Sequence, residues 1–344
     1  METKQYGFAI IGTGAIASVH AQAIASIKNA KLLSVYNRTK EKAEVFARDH
    51  QCKAHDSLDF MLEDQNIHVV CICTASGAHL EAAEKSLRAG KHCLVEKPLE
   101  INTSRCDTII SLARKNSLKV GTVFPTRFYP NSIMIKKHLE KGVFGSLVMG
   151  SAYVKWHRSP SYYRSAAWRG TWELDGGGAL MNQGIHAVDM LLWYMGPVEH
   201  VTAISTKILH QQIEVEDTVV AQLKFKSGAL GSIECSTAAF PGTAKRVEII
   251  GTTGSAILEE NDLTLWDFQD SESSDLPDAN ASGSGGFSDP MSIGHYGHRL
   301  QIEDFIEAID KDHSPLVDGS EGRKSVELIS AIYQSAQKGE RIYF

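Results

Sequence analysis

Residues 8–17 are Phe8-Ala9-Ile10-Ile11-Gly12-Thr13-Gly14-Ala15-Ile16-Ala17, and this stretch decides the fold. An apolar run ends at a G-x-G-x-x-A turn, and an apolar helical face follows it. In such a turn Gly12 permits the tight bend, Gly14 lets the backbone approach a pyrophosphate, and Ala17 keeps helix and strand close. The first N–H groups of the helix, at Ala15 and Ile16, then point at the phosphates. The stretch predicts the start of a dinucleotide-binding Rossmann domain.

Strand-like and helix-like segments continue to alternate as far as residue 124. The strand-like segments are Phe8–Ile11, Leu32–Tyr36, Val69–Cys73, Cys93–Val95 and Val120–Phe124. The helix-like segments between them include Ala15–Ile27, Lys40–Asp49 and His79–Ala89. This alternation is typical of βαβ units around a parallel sheet. We therefore predict a doubly wound α/β domain over residues 1–124.

The pattern changes after Pro125. Longer strand-like segments follow at 147–157, 201–209, 217–225, 230–237, 246–251 and 256–268, interrupted by a helix at Ile185–Met195. They predict an open, mostly antiparallel or mixed sheet with helices on one face, in a second α/β domain over 125–344 that binds substrate and mediates oligomerisation. Residues 269–292, rich in Ser, Gly, Asp and Asn, predict a mobile surface loop. Two closing helices are expected at 299–311 and 320–337.

Composition narrows the classes of partner and location. A net charge of −6 provides no basic field for nucleic acid. No apolar run approaches the ~20 residues that span a bilayer, and the short polar segment before Tyr6 does not resemble a signal peptide. Six scattered cysteines fit a reducing compartment, with Cys71 and Cys73 buried on one strand face. We expect a cytoplasmic protein with no metal, no nucleic acid and no membrane partner.

The end of the second strand bears on the cofactor. Enzymes that bind NAD usually carry Asp or Glu there to accept a hydrogen bond from the ribose 2′-hydroxyl. This chain has Asn37, 23 residues after Gly14, followed by Arg38. Asn tolerates a 2′-phosphate and Arg can pair with one, which favours NADP over NAD. Alternatively, Arg38 stacks on the adenine or faces water, and NAD remains the cofactor.

The triplet Glu96-Lys97-Pro98 ends the fifth strand. Ligands bind at this carboxyl edge in doubly wound sheets, so Lys97 is a candidate for the chemistry. From position alone, a solvated surface lysine remains an equally good interpretation.

A second candidate cluster spans residues 175–189. Three glycines precede a helix that carries Asn182, His186 and Asp189. Asn182 and His186 are four residues apart and are expected to share a face, and Asp189 can orient the imidazole. The simpler alternative is a structural histidine satisfied by Asp189. A metal role for Asn182 and His186 is weaker because no third ligand is evident.

Aromatic and arginine side chains are concentrated between Tyr153 and Trp172, as in sites for sugars and sugar acids. From this stretch we take Trp156, Tyr163, Trp168 and Arg169 as substrate-binding candidates. A core or interface role for most of the tryptophans is an equal alternative. His295 and His298 are weaker candidates for the rim of the pocket.

Together these residues resemble the glucose–fructose oxidoreductase/inositol dehydrogenase/rhizopine-catabolism (Gfo/Idh/MocA) family from end to end. The likeness rests on the glycine turn, Thr74 with His79, the triplet 96–98, Arg127, the block 176–189, and the closing segments 302–305 and 315–319. It implies a Rossmann domain followed by an open-sheet domain, with NAD or NADP as cofactor and a sugar or cyclitol as substrate. Thr74, His79, Glu96 and Lys97 would lie at the cofactor, and Arg127, Asn182 and Asp189 at the substrate.

In that family the lysine of the Glu-Lys-Pro triplet and the histidine of the glycine-rich block serve substrate oxidation or ketone reduction. The resemblance assigns these roles to Lys97 and His186. One departure is Asn182, where many of the family's dehydrogenases carry Asp. Because Asn cannot take a proton, an Asp–His relay is in doubt, and Lys97 or His186 must act as the acid/base. Two alternatives stay open: an NAD-dependent glycoside hydrolase of the same fold, and a non-catalytic sensor. We also expect a homodimer or homotetramer formed through the C-terminal sheet.

Overall fold

A computed structural model describes residues 4–269 and 294–344, which fall into two compact units. Of the described residues, 4–125 and 294–323 form the first unit, and 126–269 and 324–344 form the second. The predicted mobile loop at 269–292 lies, apart from Gln269, outside the described residues.

The strands are β1 (Tyr6–Ile11), β2 (Ala30–Tyr36), β3 (Lys53–His55), β4 (Ile67–Ile72), β5 (His92–Val95), β6 (Val120–Thr122), β7 (Leu147–Lys155), β8 (Val198–Thr206), β9 (Thr218–Phe225), β10 (Leu230–Ser236), β11 (Arg246–Gly251), β12 (Gly254–Glu259), β13 (Asp262–Phe268) and β14 (Ile342–Tyr343). The α-helices are α1 (Ala15–Ala25), α2 (Lys40–His50), α3 (Leu58–Leu62), α4 (His79–Arg88), α5 (Thr103–Lys115), α6 (Pro130–Glu140), α7 (Pro160–Arg164), α8 (Ile185–Met195), α9 (Tyr296–Asp310) and α10 (Gly319–Lys338).

The first unit contains a parallel six-stranded sheet in the order β3-β2-β1-β4-β5-β6. β1 and β4 are almost wholly buried, as central strands of a two-sided sheet must be. The strand order reverses direction at β1 and β4, where ligands bind in doubly wound sheets. The predicted Rossmann topology is confirmed.

The expectation of two contiguous domains needs a correction. α9 belongs to the first unit, although we assigned its sequence to the C-terminal domain. Ile302, Phe305 and Ile306 of this helix pack in one hydrophobic cluster with Tyr6 and Phe8 of β1. The apolar face of α9 therefore completes the core of the Rossmann unit.

The second unit contains an eight-stranded sheet in the order β13-β12-β11-β7-β10-β9-β8-β14. Among the strand pairs described for this sheet, only β7–β10 is parallel, which confirms the mostly antiparallel sheet. The single strand predicted at 256–268 is wrong. The chain turns back at Glu260, which has a φ of 51°, so β12 and β13 form a hairpin.

The described cysteines are all free, and Cys71 and Cys73 are buried as predicted. None of the helices in the described ranges combines the length and apolar character that a bilayer crossing requires. The cytoplasmic location expected from the sequence stays a prediction.

Candidate active site

The glycine turn between β1 and α1 has the geometry of a phosphate cradle. Gly12 has a φ of 95°, and a Cβ on it would lie 2.6 Å from the carbonyl oxygen of Cys73. Gly14 is the N-cap of α1, and a Cβ on it would meet no atom within 4 Å. No side chain caps this helix and no acidic residue lies in its first turn. Open space and uncapped N–H groups at a helix N-terminus fit a dinucleotide pyrophosphate.

The end of β2 lies beside this turn. Asn37 Nδ2 donates to Thr13 Oγ1 at 2.7 Å, and Asn37 Oδ1 accepts from the backbone N–H of Thr39 at 2.8 Å. Asn37 therefore ties the second strand to the glycine turn. Arg38 is exposed and makes no ion pair within the described parts of the chain.

The carboxylate of Glu96, at the end of β5, faces two histidines in the interior of the first unit. Its Oε1 lies 2.8 Å from His20 Nε2 and 3.7 Å from His298 Nε2. Its Oε2 accepts the backbone N–H of Lys97 at 3.1 Å. The position of His298 corrects our expectation that it lines the pocket rim, because His298 is buried in this cluster. Lys97 itself is half-buried.

His79 fixes the loops that follow β4 and β5. Its ring lies with Nδ1 at 2.9 Å from the carbonyl oxygen of Pro98 and Nε2 at 3.3 Å from that of Thr74. Burial lowers the pKa of His79, so the ring is neutral and carries one N–H. The shorter distance assigns that N–H to Pro98. The cofactor contacts expected of Thr74 and His79 stay predictions.

In the second unit, His186 lies at the start of α8 and is half-buried. Asn182 precedes it within a π-helical turn, Ala179–Gly184, which the four-residue spacing did not predict. Glu216 shapes this turn, since its carboxylate accepts the N–H groups of Gly178 at 2.9 Å and Leu180 at 2.8 Å and the Tyr333 hydroxyl at 2.9 Å.

Asn182 belongs to a chain of polar side chains. It donates to Asp175, while Gln183 Nε2 donates to Asn182 Oδ1 and to the Tyr162 hydroxyl, each at 2.8 Å. Arg158 donates to Gln183 Oε1 at 3.0 Å. This hydrogen-bonded network places polar groups and the cationic side chain of Arg158 beside the helix that bears His186.

Arg169 lies at the other side of Tyr162. Its guanidinium donates to the Tyr162 hydroxyl and stacks 4.2 Å from the Tyr162 ring centre and 4.7 Å from that of Trp168. Trp156 is buried under Arg158, whose guanidinium lies 4.9 Å from its ring centre. Tyr163 differs from these, since its ring packs with Ile213 and Val215 and its hydroxyl bonds to Thr237.

Arg127 and Asp189 form a buried bidentate pair. Arg127 Nε and NH2 donate to the two carboxylate oxygens of Asp189 at 2.8 and 2.6 Å. Their side chains are 2% and 1% exposed. Removing one partner of such a pair leaves an uncompensated buried charge, which costs about 3–5 kcal/mol. The substrate contacts implied for Arg127 and Asp189 stay predictions.

Sequence reasoning missed His20, Gln183, Glu216 and Tyr333. His20 lies on α1 next to the apolar positions Val19 and Ala23, and a histidine among such positions is a usable signal for a buried polar contact. The other three become visible only through contacts between residues distant in sequence.

Comparison with known proteins decides the family. The profile "Oxidoreductase family, NAD-binding Rossmann fold" matches residues 6–124, and "GFO/IDH/MocA C-terminal domain" matches residues 133–257. The crystal structure of the WlbA dehydrogenase from Bordetella pertussis, in complex with NADH and UDP-GlcNAcA, is 31% identical. It superposes with a TM-score of 0.89, with 99% of each chain covered.

The chain belongs to the Gfo/Idh/MocA oxidoreductase family. Two inositol dehydrogenases are also similar to this family member. Myo-inositol 2-dehydrogenase of Thermotoga maritima is 29% identical over 273 residues, 76% of this chain and 78% of the relative. Inositol 2-dehydrogenase of Rhizobium meliloti is 26% identical over 347 residues, 97% of this chain and 98% of the relative. The protein is an NAD(P)-dependent oxidoreductase, and the resemblance predicted from the sequence is confirmed.

Proposed function

We propose that the protein transfers hydride between a nicotinamide cofactor and a hydroxyl or keto carbon of a sugar that carries an acidic group. The observation that carries the activity is the open glycine cradle on the Rossmann unit that also bears Lys97. Relatives that dehydrogenate inositols, and one bound to NADH and a nucleotide-linked sugar acid, support the class of reaction. Neither the glycoside hydrolase nor the sensor has such support.

Lys97 and His186 are proposed as the acid/base groups. When bound, the nicotinamide ring accepts or supplies the hydride. One of the two side chains takes the proton of the reacting hydroxyl, and the other donates a hydrogen bond to the oxygen as charge develops on it. Asn182 adds a hydrogen-bonding group without adding a proton acceptor, so the proton passes through Lys97 or His186.

Arg169 is the basis for an acidic substrate. It is a guanidinium held between two aromatic rings, and it makes no ion pair with a carboxylate in the described part of the chain. Its stacked plane is pre-organised to bind a carboxylate or phosphate through two parallel hydrogen bonds. UDP-GlcNAcA, the ligand of the similar WlbA dehydrogenase, carries both groups.

A panel of sugars tests the substrate class. UDP-N-acetylglucosaminuronic acid, UDP-N-acetylglucosamine, glucuronic acid, glucose and myo-inositol are each offered with NAD⁺ and NADP⁺, and reduced nicotinamide is followed by its absorbance. The acidic sugars should give the highest kcat/KM. Arg169→Lys should lower this kcat/KM about tenfold or more, because lysine lacks the paired N–H donors of the guanidinium. Equal kcat/KM for acidic and neutral sugars, or an unaffected Arg169→Lys variant, would overturn the acidic-substrate proposal.

NADP is proposed as the preferred cofactor. No carboxylate stands at the end of β2, and the exposed Arg38 is free of ion pairs in the described ranges, so it is available for a 2′-phosphate. Fluorescence titration of NADPH and NADH measures the preference. Arg38→Ala should weaken NADPH about tenfold and leave NADH nearly unchanged. Tighter binding of NADH by the wild type would reverse the assignment.

Self-association through the second sheet is proposed as well. Ile204 of β8 and Val220 of β9 lie opposite each other and are 77% and 48% exposed. Neighbouring exposed apolar side chains on a sheet face mark an interaction surface. This surface supports a homodimer or homotetramer.

A further inference from the structure

The cluster of His20, Glu96 and His298 lies in the interior of the first unit, directly behind the strand end that carries Lys97. All three side chains are buried. They come from α1, the end of β5 and α9, elements far apart in sequence. The rings of His20 and His298 meet edge to face with centres 5.2 Å apart. A polar cluster of this kind in a hydrophobic core is costly unless its geometry is well satisfied.

The two oxygens of Glu96 have separate partners. Oε1 is held by His20 at 2.8 Å, and Oε2 accepts the backbone N–H of Lys97 at 3.1 Å. On the other side of Lys97, the carbonyl oxygen of Pro98 is held by His79 at 2.9 Å. The backbone on both sides of the lysine is therefore fixed by buried side chains.

The pKa shifts of the three side chains are consistent with a fixed contact between His20 and Glu96. Burial alone would raise the pKa of Glu96, but the hydrogen bond from His20 and the nearby imidazole of His298 hold it well below its ordinary value. Burial alone would lower the pKa of His20, but interactions with Cys73 and Cys71 raise it well above the ordinary value for histidine. Burial lowers the pKa of His298. The His20–Glu96 contact at 2.8 Å is therefore a stable buried hydrogen bond, and His298 stays neutral beside it.

The same three side chains do not suit a metal ion as they stand. Zinc bonds of about 2.0–2.2 Å in tetrahedral geometry hold ligand atoms more than about 3 Å apart. His20 Nε2 and Glu96 Oε1 are 2.8 Å apart, which is a hydrogen bond. The contact is already complete without an ion.

We propose that His20, Glu96 and His298 form a positioning cluster that fixes the backbone of Lys97, and through it the lysine amine, for the hydride-transfer reaction. In this proposal His20 and His298 act through Glu96, which in turn holds the backbone N–H of Lys97. This inference rests on the proposed role of Lys97. Small displacements of an acid/base group cost rate steeply, about 10²-fold for 1 Å.

The test compares Glu96→Ala, His20→Leu and His20→Gln with the control Glu100→Ala. Gln can place its amide nitrogen where His20 Nε2 lies and donate to Glu96, whereas Leu cannot. Glu100 is a matched control. It is a fully buried carboxylate in the same unit and also accepts the N–H of the residue after it, Ile101, but its ion pair is with Arg105.

The first readout is hydrogen exchange of the Lys97 amide in the full chain, followed by mass spectrometry of peptides covering 92–99. Exchange should accelerate about tenfold or more in Glu96→Ala and His20→Leu, and stay near the wild-type rate in His20→Gln and Glu100→Ala. This readout needs no substrate, so it decides the positioning claim even if the proposed function fails. Uniform exchange across all four variants would overturn it.

The second readout separates catalysis from binding. With UDP-N-acetylglucosaminuronic acid as the probe, kcat should fall about 10- to 100-fold in His20→Leu and recover in His20→Gln. The Kd for reduced nicotinamide, from fluorescence, should change less than about threefold, because the glycine cradle is untouched. An equal loss of kcat in Glu100→Ala, or a loss of cofactor affinity that matches the loss of kcat, would reduce the cluster to a general structural role and refute the proposal.

Discussion

At the scale of single residues, the amine of Lys97 is the group whose removal should change the chemistry most. Lys97→Ala should lower kcat by about 10²–10⁴, the usual contribution of an acid/base group. The side chain is half-buried at a strand end, so the fold should survive, and any loss of cofactor affinity should be small beside the loss of kcat. Steady-state kinetics, fluorescence titration of reduced nicotinamide and a melting curve measure the three quantities. Turnover at the wild-type rate would remove Lys97 from the mechanism.

The sequence identified residues whose roles depend on local geometry. Gly12 needs its positive φ and its close approach to Cys73, and both follow from the turn motif. The sequence did not identify His20 as the partner of Glu96, because 76 residues separate them and only the packing of α1 against the sheet brings them together. Gln183 was missed for another reason: its partners Arg158 and Tyr162 come from the connection after β7 and from the short helix α7, neither of which the sequence pattern predicted.

At the scale of elements, Glu216 determines the turn that leads into α8. Burial raises its pKa from 4.5 to about 7, although hydrogen bonds from Leu180, Tyr333 and Gly178 oppose the rise. The folded protein therefore binds this proton more tightly than the unfolded chain does. The stabilisation is fully present below pH 4.5 and is lost as the pH rises through 7, by about 3 kcal/mol in all.

Glu216→Gln should remove this dependence on pH. Between pH 5 and 8 the free energy of unfolding of the wild type should fall relative to that of the variant, which carries no titrating group at this position. Gln lacks one acceptor for the backbone N–H groups, so the variant should be the less stable protein at pH 5, with a gap that narrows as the pH rises. Urea titrations across the range measure the gap. Glu214→Gln, at an exposed neighbouring position, should keep the wild-type slope.

Helices and strands were predicted correctly where the apolar residues keep a single helical or strand spacing throughout the segment. The helices at 40–50 and 79–88 and the strands β2, β9, β10 and β11 match the expected segments closely, whereas the short strands β3 and β14 were not predicted. Prediction failed at 254–268, where an apolar pattern runs across the turn at Glu260 and hides a hairpin. It also failed at 179–184, because a π-helical turn depends on its buried contacts with Glu216 and Tyr333 rather than on spacing.

At the scale of the whole molecule, the position of a segment along the chain did not predict which of the two compact units it packs in. Residues 294–323 follow the second sheet in sequence but pack with the first unit. The apolar face of α9 was visible in the sequence, whereas the core that it enters was not, since Phe305 and Tyr6 are about 300 positions apart.

The exposed apolar surface of the second sheet predicts the state of assembly. Ile204→Arg together with Val220→Glu should shift the protein toward monomers, because charges would replace the apolar contact area. Sedimentation velocity measures the change. Val45→Arg, at a 48% exposed position on α2, is the control and should leave the assembly intact. An unchanged oligomer in the double variant would place the interface elsewhere.

The central claim is that hydride passes between a sugar carbon and the nicotinamide. The most direct measurement supplies the wild-type enzyme with carbon-deuterated UDP-N-acetylglucosaminuronic acid and oxidised cofactor, and follows the label by NMR and mass spectrometry. Direct hydride transfer should place one deuterium at C4 of the reduced nicotinamide, in amounts equal to the keto sugar formed. Reduced nicotinamide without deuterium, or cleavage of the glycosidic bond to UDP with no net reduction of the cofactor, would contradict it.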